Sequence, residues 1–174
     1  MSAQNPYTTP DASLSTESSG YYDPSIFSFS GRIGRLRYLA YNTGVNLILT
    51  VVMIPFLGMS GFMASGGDMS AMAGGLSGIA IIIFYIATIV VSVMFAKRRL
   101  NDLNRSGWFV LLFIIPIVNL LLIIYLIFFS GTDGDNNYGP MPAANTLGVK
   151  ILGLMFPVLM LLGIGAAVLI PAMQ

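Results

Sequence analysis

Arg98, Asp102 and Arg105 stand four and three residues apart in the segment AKRRLNDLNRSGW (96–108). On a helix that spacing puts them on one face, where a single carboxylate bridges two guanidiniums. A second basic cluster, Arg32, Arg35 and Arg37, lies in FSFSGRIGRLRYLAYN (27–42). Such groups offer electrostatic chemistry rather than bond-breaking. One reading is a collar whose arginines snorkel to the interface, with Trp108 anchoring the next segment in the aromatic belt. A sharper reading makes Arg32, Arg35, Arg98, Arg99, Asp102, Arg105 and Trp108 a contact site for lipids or a partner. Each basic residue near an anionic surface contributes about 1 kcal/mol. The chain has no histidine and no cysteine, which removes the commonest metal ligands, the general base of most convenient pKa and every thiol nucleophile. No catalytic residue, cofactor or metal is expected, and the chain is not expected to be an enzyme.

Two other segments invite a ligand reading. Asp133, Asp135 and Asn137 in SGTDGDNNYGPMP (130–142) imitate the start of a calcium loop, but Tyr138 stands where Gly is required and Ala144 where a bidentate Glu is required. Gly131, Gly134, Gly139, Pro140 and Pro142 instead predict a tight external turn. Methionines 59, 63, 69 and 72 are soft donors for Cu(I), but they lie in a Gly/Ala/Ser-rich stretch with Asp68 as its single charge (58–78), which reads as a mobile linker.

The elements that must position these groups are set by composition. Of 174 residues, 56% are hydrophobic and 9% charged, against roughly 25% charged in a soluble domain. Four apolar stretches without a charge, at 38–57, 79–96, 108–129 and 151–170, each approach the roughly 20 residues that a helix needs to cross the hydrocarbon core. The expected fold is therefore all-α: a polytopic membrane protein with four transmembrane helices in a small bundle. Residues 1–25 are polar and read as a disordered cytoplasmic tail without the features of a signal peptide. Seven basic residues flank one side of these spans and Lys150 alone the other, which predicts a cytoplasmic N-terminus. An even number of spans then returns the C-terminus to the cytoplasm. Inside the bilayer, Asn42, Asn46 and Thr50, and Tyr85, Thr88 and Ser92, form polar stripes expected to hydrogen-bond between helices. Pro116 predicts a kink in the third span. Gly163 and Ala167 permit close approach of a neighbouring helix or a second copy.

The three quoted segments, in this order and spacing, resemble the small bacterial inner-membrane proteins grouped as domain of unknown function 805. The resemblance covers about residues 27–142. It rests on Gly31, Arg32 and Arg35, then on Arg98, Arg99, Leu100, Asp102, Arg105, Ser106, Gly107 and Trp108, and then on Gly131, Gly134, Asn136, Tyr138, Gly139 and Pro140. Arg37, Asn101 and Asn137 depart from the family pattern, which has an acidic residue, His and Arg there. The resemblance implies a family-like membrane domain at 26–142 with three of the spans, followed by 143–174 with the fourth. It implies a bacterial inner-membrane location and supplies no reaction. The function expected is a non-enzymatic interaction or lipid-contacting component; the alternative is a small transporter or channel subunit. Membrane lipids, anionic headgroups among them, and a second copy of the chain are the expected partners, and nucleic acid is not.

Overall fold

A computed structural model describes residues 21–66 and 71–172. The chain forms β1 (Tyr21–Tyr22), α1 (Arg35–Ala64), α2 (Ala71–Asp102), a 3₁₀ helix (Gly107–Ile114), α3 (Pro116–Phe128), β2 (Met141–Pro142) and α4 (Leu147–Ala172). Residues 1–20 of the expected tail, and Asp68 and Met69 of the expected linker, lie outside the described residues.

Among the described residues, three helices are long and apolar enough to cross a membrane: Arg35–Phe62, Gly75–Asp102 and Leu147–Leu169. Their isoleucines, leucines and valines lie largely exposed, Ile48 at 64%, Ile82 at 60% and Leu162 at 65%, as lipid requires and water forbids. α1 and α2 are 30 and 32 residues long, about 45 Å each, so they extend into the stretch expected to be a linker.

The buried core lies at one end. Ile33, Met94, Phe95, Leu100, Leu122 and Leu126 form its centre, where the start of α1 meets the end of α2, with the 3₁₀ helix and α3 packed alongside. α2 terminates in a Schellman arrangement: the Asn104 N–H donates to the Asn101 carbonyl at 3.0 Å and the Arg105 N–H to the Leu100 carbonyl at 2.9 Å. Asn104 itself takes the left-handed conformation, φ 54°, which Asn tolerates.

The third expected span is not a continuous helix. Pro116 sits at the first position of α3, where its missing N–H costs least, and the residues before it wind as a 3₁₀ helix instead. Both limbs stay at one end of the molecule. The 3₁₀ helix starts against Lys97, since a Cβ added to Gly107 would lie 2.6 Å from the Lys97 Cγ. α3 ends against the same turns of α2, where the Arg99 Nε donates to the Leu126 carbonyl at 2.9 Å. The limbs are about 16 Å and 20 Å long, against a hydrocarbon core of about 30 Å.

Two further expectations are corrected at this end. The turn at 130–142 is not across the membrane from the arginines, because the Thr132 N–H donates to the Asp102 carbonyl at 2.9 Å. The tail does not run to residue 25 as a separate segment, because Tyr21–Tyr22 pairs in parallel with Met141–Pro142. α4 leaves from the same end: a Cβ on Gly153 would come 2.7 Å from the Leu36 carbonyl oxygen. It then follows α1, with Met155, Phe156 and Leu159 sharing a cavity wall with Asn46 and Thr50.

Candidate functional site

Asp102, at the last turn of α2, is 4% exposed. Its Oδ1 accepts from Arg32 Nε and Nη2 at 3.3 and 3.2 Å, and its Oδ2 accepts from Arg99 Nη1. A carboxylate between two guanidiniums is thus present, but with partners other than the expected Arg98 and Arg105. Arg105 lies beyond the Schellman stop and is exposed, while the Arg98 Nη1 donates to the Ser25 and Ile26 carbonyls at 2.8 and 3.1 Å.

The remaining donors of the two clasp arginines go to backbone carbonyls. Arg32 Nη1 donates to Gly134 and Gly139 at 2.7 and 3.1 Å, and Nη2 to the Thr132 carbonyl at 2.6 Å. The positive-φ glycines of the turn, Gly134 at +71° and Gly139 at +118°, bend the chain so that these carbonyls converge on one guanidinium. Arg99 holds the carbonyls of Leu126 and Phe129, and the Arg35 Nη1 reaches that of Phe128 at 3.2 Å. These are the orphan acceptors at the end of α3, where cations also meet the negative end of the helix dipole. The hairpin is therefore tied back to the end from which it departs.

The other predicted turn residues complete the clasp. Asn136 Nδ2 donates to the Asn101 carbonyl at 2.9 Å and to Thr132 Oγ1 at 2.7 Å, and its Oδ1 accepts from the Tyr138 N–H at 2.9 Å. Gly131 packs directly on the Asp102 carboxylate, where an added Cβ would overlap Oδ2. Pro140 leads into β2. Arg37 is buried as well, donating to the Ala144 carbonyl at 3.2 Å and facing the exposed Asp23 at 3.8 Å.

The expected collar is thus two things. Arg32, Arg98, Arg99 and Asp102 are buried and serve the fold, whereas Arg35, Arg105 and Trp108 are at the surface. Thr132 and Tyr22, whose hydroxyl bonds the backbone of Arg32, belong to the clasp and carry no sequence signal that would have marked them.

The segments quoted from the sequence therefore meet in one structure. A family model described as protein of unknown function (DUF805) matches residues 26–140. The chain belongs to the DUF805 family. The DUF805 match takes in Arg32, Arg99, Asp102 and the turn up to Pro140 and leaves α4 outside. The chain is 35% identical to the inner membrane protein YhaH of Escherichia coli K12 over 114 residues, 66% of this chain and 86% of YhaH. It is 37% identical to the inner membrane protein YhaI of the same organism over 60 residues, 34% of this chain and 51% of YhaI. No solved structure matches the chain. With inner-membrane relatives and three long apolar helices, this DUF805 chain is an integral membrane protein.

The polar stripes expected to bridge helices do not do so on α1. Asn42 and Asn46 donate to the carbonyls of Tyr38 and Asn42, each at 2.9 Å and one turn back on the same helix. With Thr50 and Ser92 they line a cavity of about 510 Å³ between α1, the hairpin and α4.

Proposed function

We propose that this chain is a non-enzymatic component of the bacterial inner membrane that acts through lipid contact at its basic face, and that this face is cytoplasmic. The observation that carries the reading is the division of the eight basic residues. Arg32, Arg37, Arg98 and Arg99 are buried in the fold, while Arg35, Arg105 and Lys150 are exposed and Lys97 is half-buried. These four remain available to anionic headgroups of the inner leaflet. Asp102 has both oxygens engaged by guanidiniums, which favours a structural role over acid–base work. Native mass spectrometry of the full chain from mixed-lipid nanodiscs tests this: anionic lipid is retained in preference to zwitterionic lipid, and equal retention overturns it.

Beside this reading we infer a topology of three crossings. The contacts between the 130–142 turn and Arg32 cannot bridge about 30 Å of hydrocarbon, so the hairpin enters and leaves by one face. All eight basic residues then lie on that face, and the positive-inside bias strengthens from seven against one to eight against none. α4 carries the chain across a third time, so the C-terminal end lies outside rather than in the cytoplasm. The chain lacks cysteine, so single replacements report cleanly. In intact cells an impermeant maleimide labels Gln174→Cys and spares Asp135→Cys; four crossings predict the reverse pattern.

A second reading, a small transporter or channel subunit, is favoured by the cavity that Asn42, Asn46, Thr50 and Ser92 border. It extends from Tyr38 to Thr50, about 18 Å along α1. That is little more than half the hydrocarbon thickness, and Phe113, Ile123, Phe156 and Leu159 contribute an apolar wall.

A further inference from the structure

A groove of about 590 Å³ opens beside the clasp, between the end of α2 and the start of the 3₁₀ helix. Lys97 stands on its wall with the stem packed on Gly107. Its ammonium has no ion-pair or hydrogen-bond partner among the described residues. Asn101 lines the same groove and is 4% exposed. Its amide group donates to the Gly31 carbonyl at 3.2 Å, and its side-chain oxygen is buried without a partner. A buried acceptor left unmade costs about 1–3 kcal/mol, so a donor supplied by a ligand would be favoured there.

The lining changes character with depth. Val93 lies one helical turn before Lys97, about 6 Å nearer the bilayer centre. Val110 lies three residues beyond Gly107 on the 3₁₀ helix, again about 6 Å deeper. Trp108, 77% exposed, forms the rim, a place suited to an amphipathic ring at the headgroup level. A free phosphate would satisfy Lys97 and leave the apolar floor unused.

We propose that this groove holds one anionic glycerophospholipid: the phosphate on Lys97, a headgroup hydroxyl donating to Asn101 Oδ1, and the upper acyl methylenes on Val93 and Val110. Phosphatidylglycerol has this chemistry. The proposal rests on the lipid-contact reading and narrows it from a diffuse basic face to one built site.

Trp108 is the chain's single tryptophan and reports on the groove directly. The full chain is placed in phosphatidylcholine nanodiscs containing a small, equal fraction of brominated phosphatidylglycerol or brominated phosphatidylcholine, and Trp108 quenching is measured. Brominated phosphatidylglycerol is expected to quench several times more efficiently than brominated phosphatidylcholine. Lys97→Gln reduces that ratio about fivefold, the equivalent of about 1 kcal/mol for one basic residue, whereas Lys97→Arg keeps it. Arg35→Gln, which removes an exposed charge outside the groove, lowers it by less than Lys97→Gln does. Equal quenching in the unaltered chain, or an equal loss in Arg35→Gln, overturns the site in favour of diffuse attraction. Relief of quenching by soluble glycerol phosphate overturns it in favour of a free-phosphate site. If mass spectrometry still finds anionic preference while the quenching ratio is one, the groove fails and the broader reading stands. Loss of both overturns the broader reading.

Discussion

Asp102 is the residue on which most of the basic end depends. Four arginines and one aspartate are buried there, so one carboxylate offsets only part of the charge and carbonyl dipoles must do the rest. Removing one partner from a buried pair leaves uncompensated charge, at a cost of about 3–5 kcal/mol. Asp102→Asn should therefore lower stability by about that amount in a denaturation series in detergent. Arg32→Lys should be nearly as damaging, because an ammonium cannot reproduce the planar fork that reaches Asp102, Thr132, Gly134 and Gly139 together. Gly131→Ala changes no charge, yet its Cβ would overlap the Asp102 carboxylate. It should release the turn, read as faster proteolysis within 130–142. The spacing of Arg98, Asp102 and Arg105 correctly put a carboxylate among guanidiniums. It chose the wrong partners: the helix stops at Asp102 with a Schellman turn at Asn104, so Arg105 leaves the face, and Arg98 donates to the Ser25 and Ile26 carbonyls instead.

At the scale of elements, the hairpin of the 3₁₀ helix and α3 behaves unlike the long helices. Its apolar length satisfied the requirement for a span, and hydrophobicity alone cannot separate a segment that crosses from one that enters and returns. Pro116 was visible as a break, but which way the second limb turned was not. Ile114 and Ile117 at its tip are each 77% exposed, an apolar end suited to lipid. A fluorescent label on Ile117→Cys should be quenched most by lipids brominated near the chain ends and should stay inaccessible to aqueous quenchers on both sides. Quenching strongest near the headgroups would remove the hairpin from the membrane. The α1 asparagines show a similar limit. Their i, i+4 spacing allowed either interhelical bonds or bonds back along the same helix, and the latter is found.

For the molecule as a whole, the clasp is complete within residues 21–145, the stretch that contains the family match, and α4 is added along α1. Truncation after Asn145 should preserve insertion and the protection of Asp135→Cys from external maleimide, while lowering stability through the exposed packing face at Leu36 and Gly44. Loss of insertion would make α4 part of the folding unit.

The sequence by itself determined the solvent, the helical class, the family, the two basic clusters and the turn chemistry at 130–142. Each of these is a local property: apolar content over about 20 residues selects lipid, and Gly and Pro select turns. Tertiary structure alone decided that the third apolar stretch breaks at Pro116 and folds back beside the end of α2, that four of the six arginines are internal, and that Lys97 borders an amphipathic groove. The physical reason is that the placement of a segment is set by where both its ends are tied. Here the ties are contacts such as Arg32 to Asp102, Gly134 and Gly139, which join residues 70, 102 and 107 positions apart and leave no trace in any local pattern.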